Sequence, residues 1–241
     1  MINLYLGDCL ELMKNIEDKS VDLILCDLPY GRTHNRWDSV IPFEDLWSNY
    51  ERIIKDNGAI VLFADGLFMA ELMLSNKKIW RYNLVWDKVL TSGFLNANKQ
   101  PLRQHEEIVV FYKKQPTYNP QKVKGSKNHS KGSVKVNNNN NYNKYDFIDN
   151  KDMLGDMKNP KSILTFSKSH PSVMVHPTEK PVALLEWLIK TYTNEGEIVL
   201  DNCMGSGSTG VACKNLNRQF IGIEKDEKYF NIAKERIENA G

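Results

Sequence analysis

Two stretches of the sequence, 21–26 (VDLILC) and 59–64 (AIVLFA), are apolar almost without a break over the length of a strand. A strand with one wet face alternates polar and apolar residues, whereas a strand covered on both faces has no need to. Such runs therefore point to a parallel sheet held between layers of helices. The intervening segments supply those helices. Phe43, Leu46, Trp47, Tyr50, Ile53 and Ile54 recur at helical spacing through 43–55, and similar patterns occupy 67–74, 181–192, 209–216 and 227–237. Further strand signals lie at 2–6, 82–86, 108–112, 198–200 and 220–223. Alternation of this kind predicts an α/β fold with a doubly wound sheet, whose ligands bind at the carboxyl ends of the strands. The alternation stops from 115 to 171, a stretch rich in Asn, Lys, Ser and Gly that includes the run Asn137–Asn141. So long a stretch without periodicity marks a functional insertion or disorder.

Hydrophobic residues at 41% and charged residues at 26% of 241 residues suit one α/β domain carrying an insertion. A net charge of +2 does not announce a nucleic-acid binder, but the distribution is uneven. Between Ile108 and Tyr145 there are eight lysines and no acid. Lys122, Lys124, Lys127, Lys131 and Lys135 are accordingly candidate phosphate contacts, with a solvated loop as the alternative. Cys9, Cys26, Cys203 and Cys213 are scattered, with no His at zinc-ligand spacing, so no metal site is expected and a reducing compartment suits them. No basic segment leads into a long apolar run and no window could cross a membrane, which predicts a cytoplasmic protein.

Two segments carry chemistry. In the first, 198–210, a strand passes through Asp201-Asn202-Cys203-Met204-Gly205-Ser206-Gly207-Ser208 into a helix. The glycines allow a sharp turn and close ligand approach, and the amides at the helix start favour an anion. Glu224 closes the next strand, where an acid accepts the hydroxyls of a ribose. This describes an adenosine site but does not separate NAD from S-adenosylmethionine (SAM). In the second segment, Asp27-Leu28-Pro29-Tyr30-Gly31 follows the VDLILC strand directly. Pro29 restrains Leu28 to an extended conformation and so aims its carbonyl. A carboxylate, a fixed carbonyl and an aromatic face suit a primary aromatic amine, the two acceptors taking its hydrogens while Tyr30 stacks on its ring. The alternative is a turn that merely closes the strand.

Together these segments resemble the amino-methylating DNA methyltransferases that modify adenine N6 or cytosine N4. The catalytic signature, Asp/Asn/Ser-Pro-Pro-Tyr, corresponds to Asp27-Leu28-Pro29-Tyr30, and the cofactor signature to Asp201–Ser208. A third, His176-Pro-Thr-Glu-Lys-Pro181, matches at six positions. The resemblance implies a Rossmann-like SAM-dependent methyltransferase fold, circularly permuted as in the family's β group, because the catalytic signature precedes the cofactor loop. It implies a catalytic part over 1–114, an inserted target-recognition region over 115–171 and a cofactor-binding part over 172–241. Asp27, Leu28, Pro29 and Tyr30 would be catalytic. Asp8, Cys9, Asp27, Thr178, Lys180, Pro181, Asp201, Asn202, Cys203, Gly205, Ser206, Gly207, Ser208 and Glu224 would border the cofactor. The implied substrate is double-stranded DNA, with adenine N6 favoured by Asp at position 27. A homodimer and a cognate restriction endonuclease fit the family, though no motif specifies either.

Two departures from the family pattern stand out. Leu28 replaces the first Pro of the catalytic signature, and Asn202-Cys203-Met204 replaces a Pro-Phe link, removing a Phe expected over the cofactor. Three other readings stay open at this stage: cytosine N4 methylation, a catalytically silent DNA-binding protein, and an NAD-dependent oxidoreductase that would leave Asp27–Tyr30 and His176–Pro181 idle. Trp80, Trp86 and Phe94 read as core aromatics, His105 and Glu106 as structural residues of a strand, and His34, Arg36 and Trp37 as a loop within reach of DNA.

Overall fold

The apolar runs become the inner strands of an eight-stranded sheet in the computed structural model, which describes residues 1–31, 39–127, 155–168 and 179–241. The first half of the chain supplies β1 (Ile2–Leu6), α1 (Cys9–Leu12), β2 (Val21–Asp27), α2 (Phe43–Ile53), β3 (Ile54–Ala64), α3 (Gly66–Ser75), β4 (Trp80–Ser92) and β5 (Arg103–Phe111). Two short strands follow, β6 (Val123–Lys124) and β7 (Met157–Lys158), then β8 (Ile163–Thr165). The chain closes with α4 (Val182–Tyr192), β9 (Ile198–Asp201), α5 (Ser208–Asn215), β10 (Gln219–Glu224) and α6 (Glu227–Glu238). Two compact units result: residues 1–119 with 162–241, and residues 120–161, whose strands β6 and β7 pair antiparallel.

Across the large sheet the order is β1-β10-β9-β2-β3-β5-β4-β8, with β5 antiparallel to its neighbours and the other pairs parallel. The first strand lies beside the last in register Ile2↔Phe220 to Leu6↔Glu224, so the two ends of the chain share one edge region. From β9 the chain crosses through α5 to β10 on one side, and from β2 it crosses through α2 to β3 on the other. The order therefore reverses between β9 and β2, which pair through Leu23↔Val199 and Ile24↔Leu200. A reversal of this kind opens a crevice at the strands' carboxyl ends.

Each sheet face carries its own core. Leu23, Leu25, Val61, Phe63, Ile108 and Val110 pack with α4, α5 and α6, while Ile24, Cys26, Ile60, Leu62, Val109 and Phe111 pack with α2 and α3. This two-sided burial is why the strands lack alternation. Helix α2 presents Leu46, Trp47, Tyr50 and Ile53 as one buried stripe, with Glu44 and Asp45 in its first turn and Arg52 in its last, a charge order that suits the helix dipole. All four cysteines are free thiols, and among the described residues no helix is long and apolar enough to cross a membrane.

The fold departs from the sequence expectations in the middle of the chain. The stretch expected to lack regular structure contributes β8 to the large sheet, where only Leu164 of its three residues is buried. Phe94 is 67% and Trp80 39% exposed, so neither belongs to the core, whereas Trp86 is buried. Phe94 follows the left-handed Gly93 in the connection between β4 and β5.

The β9–α5 turn depends on Gly207, whose φ is +81° and whose missing Cβ would lie 2.8 Å from Ala233 Cβ and 3.0 Å from Ala233 Cα on α6. Gly207→Ala is expected to lower the unfolding free energy by about 1–3 kcal/mol through strain and overpacking. Urea unfolding checks this, and an unchanged midpoint would contradict it.

Candidate active site

Four neighbouring parallel strands end in, or lead directly into, a carboxylate at one rim. Asp8 follows β1, Glu224 ends β10, Asp201 ends β9 and Asp27 ends β2, and all four line a single cavity of about 360 Å³. The volume lies in the usual range for a small-molecule pocket. Cys9, Leu28, Pro29, Tyr30, Lys180, Asn202, Cys203, Gly205, Ser206 and Ser208 line it as well. Two expected cofactor residues do not. Pro181 occupies the cap of α4, where its carbonyl accepts from Leu184 N at 3.1 Å, and Gly207 is turned towards α6. Thr178, His34, Arg36 and Trp37 lie outside the described residues.

At the glycine-rich end the carboxylates brace the loop. Asp201 Oδ1 accepts from Cys203 N at 3.1 Å and Oδ2 from Thr209 Oγ1 at 2.7 Å. Burial pushes the Asp201 pKa up to about 6, although these donors oppose the shift. Glu224 accepts from Gly205 N and from Asp226 N, both at 2.8 Å. Each carboxylate oxygen has more than one lone pair, so Glu224 can still take the hydroxyls of a sugar. Asp8 caps α1 through Leu10 N at 3.0 Å and pairs with Lys225 at 3.1 Å.

The unusual link has a structural use. Asn202 Oδ1 accepts from the hydroxyl of Tyr50 at 2.5 Å, which ties the loop to α2, and Met204 N donates to Ile223 O at 3.0 Å. The side chain of Asn202 is thereby turned into the protein. Arg236 of α6 donates to Ser206 O and Oγ, each at 2.7 Å, and to Glu179 Oε1 at 2.6 Å. Glu179 is thus fixed to the glycine loop, and Lys180 follows it in the chain.

At the other end, Asp27 Oδ1 accepts from the Tyr30 hydroxyl at 2.8 Å and Oδ2 from Lys180 Nζ at 2.6 Å. The Tyr30 ring stacks on Phe68 with centroids 4.8 Å apart, and burial holds its phenol protonated well above the ordinary range. Lys180 Nζ also lies 4.9 Å from the Phe63 ring centroid and 3.4 Å from Glu106 Oε2. Burial lowers the Lys180 pKa, but Asp27 and Glu106 outweigh it and leave the ammonium more basic than usual.

Several lining residues carry no signature of the site in the sequence, among them Trp86 and Glu106, which read there as structural, and Lys168, which lies just beyond β8. Lys168 N donates to Lys88 O at 3.1 Å, and burial together with Lys88 and Lys180 pulls its ammonium pKa down. Glu106 is legible in principle, because Glu106, Ile108 and Val110 share one strand face and an acid that continues an apolar face needs a reason. Among the described residues no group of His, Cys, Asp and Glu is arranged to hold a metal.

One end of the cavity is thus lined by the glycine-rich loop with Asp201 and Glu224, and the other by Asp27, Leu28 and Tyr30. Residues 21–235 match the sequence profile of the N6/N4 DNA methylase family. The type II methyltransferase M.HpaI of Haemophilus parainfluenzae is 28% identical over 97% of this chain and 73% of its own length. The type II methyltransferase M1.MboII of Moraxella bovis is 27% identical over 94% and 92% respectively. The crystal structure of the M1.HpyAVI–SAM complex superposes with a TM-score of 0.67 at 27% identity, covering 98% of this chain and 99% of that one. The cytosine-N4-specific PvuII DNA methyltransferase reaches 0.69 at 16% identity over 98% and 86%, a likeness of fold.

The Asp201 shift sets a pH dependence. Its pKa is raised above the unfolded value of 3.8, so between roughly pH 4 and 6 the native chain holds a proton that the unfolded chain releases. This contribution to stability is complete below that window and is lost as the pH rises through about 6. Relative to Asp201→Asn, wild-type stability in urea should fall by on the order of 3 kcal/mol from pH 4 to pH 7.5. Parallel curves for the two proteins would contradict it.

Proposed function

Because the chain belongs to the N6/N4 DNA methylase family, whose members take their methyl group from S-adenosylmethionine, we propose that its target is adenine N6 at a short specific sequence in double-stranded DNA. The observation that carries this reading is that Asp27, which ends β2, and the next residue, Leu28, line the same cavity as the Asp201–Ser208 loop. The cofactor supplies an electrophilic methyl group on a sulfonium. Its nucleoside suits Asp8, Cys9, Asp201, Cys203, Gly205, Ser206, Ser208 and Glu224, with Asn202 contributing through its backbone.

The remaining work falls to the chain. An exocyclic aromatic amine is a poor nucleophile because its lone pair is delocalised into the ring. Asp27 and the Leu28 carbonyl accept its two hydrogens, favour a tetrahedral nitrogen and aim its lone pair along the line of displacement, where alignment supplies much of the barrier reduction. The Tyr30 hydroxyl, which donates to Asp27 Oδ1, competes with the amine there, and its release also frees the ring to stack on the base. Extruding a base from duplex costs a few kcal/mol, and aromatic stacking returns roughly 1–3 kcal/mol. Asp at position 27 favours adenine over cytosine within the family pattern. Lys122 and Lys127 are exposed candidate phosphate contacts in the 120–161 unit, and Lys124 carries an exposed ion pair to Asp156 at 3.8 Å. Lys131 and Lys135 lie outside the described residues.

Asp27→Ala is expected to lower methyl transfer by at least about 100-fold while leaving SAM affinity, measured by calorimetry, nearly unchanged. Near-normal turnover would remove Asp27 from this role. Replacing Lys122, Lys124 and Lys127 by Ala should reduce the slope of log affinity for DNA against log salt by about 0.9 for each phosphate that is no longer neutralised. An unchanged slope would make the basic stretch a solvated loop.

A further inference from the structure

Glu106 stands on β5 where Ile108 and Val110 continue the same face into the core. Its Oε1 accepts from Lys88 Nζ at 3.1 Å, and the Lys88 side chain is itself buried. Its Oε2 is buried and receives no hydrogen bond from any described residue. A buried charged acceptor left unmet is expensive, and such an orphan in a cavity wall calls for a cause. The nearby cation is Lys180, whose Nζ lies 3.4 Å from Oε2, in ion-pair range but outside hydrogen-bond geometry. That ammonium lies closer to Asp27 and donates to its Oδ2 at 2.6 Å, while the Tyr30 hydroxyl donates to Asp27 Oδ1 at 2.8 Å. Each oxygen of the carboxylate assigned to the target amine therefore already accepts from one of the chain's own donors, so the amine must compete for what remains. A carboxylate paired with an ammonium is also a weaker acceptor than a free one.

We propose that Glu106 is a positioning residue that draws Lys180 off Asp27 when the target amine arrives, restoring Asp27 as an acceptor without leaving a buried charge unpaired. A shift of roughly half an ångström brings Nζ into hydrogen-bond range of Oε2. One hydrogen bond is exchanged for another, no proton changes owner, and Lys180 stays beside the ring faces of Phe63 and Trp86, at 4.9 and 6.0 Å from their centroids. Burial raises the Glu106 pKa, but Lys180 and Lys88 outweigh it, so the carboxylate is charged and ready to receive the ammonium. A role in stability alone would not place the unmet oxygen beside the Asp27–Lys180 pair, since burying charge is a poor way to stabilise a fold.

This role rests on Asp27 as the amine's acceptor, and the experiment separates the two. Tritiated methyl transfer from SAM to unmodified genomic DNA is measured for wild type, Glu106→Gln and Glu106→Asp, with SAM affinity by calorimetry and melting by scanning calorimetry. Gln keeps the shape and loses the charge, whereas Asp keeps the charge and leaves a gap. If the charge acts on Lys180, Glu106→Gln loses at least tenfold in kcat with SAM affinity within twofold of wild type, and Glu106→Asp is the faster variant although it melts lower. If Glu106 only fills space, that ranking reverses. A kcat for Glu106→Gln within twofold of wild type, a Gln variant as fast as the Asp variant, or a loss matched by SAM affinity overturns the proposal. Absence of transfer by the wild type would instead count against the function itself.

Discussion

The site depends on the pairing of β2 with β9. Leu23↔Val199 and Ile24↔Leu200 lock together two strands whose chain continuations run in opposite directions across the sheet. Because both strands are parallel and end at the same rim, Asp27 and Asp201 must open into the same crevice, although they are 174 positions apart in the sequence. Neighbouring strands β1 and β10 add Asp8 and Glu224 by the same rule. The pairing itself is held by burial on both faces, and also by Asp22, which accepts from Ile198 N at 2.9 Å and so fixes the start of β9 beside β2.

Gathering carboxylates at one rim creates an electrostatic problem, which the two ends of the cavity solve differently. At the glycine loop the acids are met by backbone amides and a hydroxyl, so that Asp201 and Glu224 shape the turn and at the same time present oxygen to a ligand. At the Asp27 end the compensation comes from whole charges, and Asp27, Lys180, Glu106 and Lys88 alternate in sign along a short buried path. Alternation keeps each charge paired, which is the condition for burying any of them. It also makes the acceptors exchangeable, because one ammonium lies within reach of two carboxylates.

Much of this is legible in the sequence where burial is two-sided. The run at 21–26 is β2 short by one residue, and its uninterrupted apolarity comes from the helices on both faces. The run at 59–64 marks only the inner half of β3, which begins at Ile54 straight after α2, because Lys55-Asp56-Asn57 lie in the half that is not fully covered. Strand β8 cannot be read, since three residues with one buried side chain carry no period. Trp80 and Phe94 are expected inside because large aromatics usually are, and tertiary context places both at the surface. Among site residues, those next to a glycine or proline signature are visible. Lys168 is not, because it reaches the cavity from beyond β8, and Glu106 shows only as an acid continuing an apolar face, its meaning lying in what faces it across the cavity. Asn202 reads as a departure from a motif, and its hydrogen bond with Tyr50 is a contact that no local pattern encodes.

We propose that this cavity delivers a methyl group to an exocyclic amine of adenine in DNA. The most direct test incubates the protein with tritiated S-adenosylmethionine and genomic DNA free of prior modification, then separates the nucleosides and identifies the labelled one by mass spectrometry. The expected result is label in N6-methyladenine, present with duplex DNA and absent when Asp27 is replaced by Ala. Label in N4-methylcytosine would contradict the choice of base while keeping the acceptor geometry, and no labelled nucleoside at all would contradict the role given to the site.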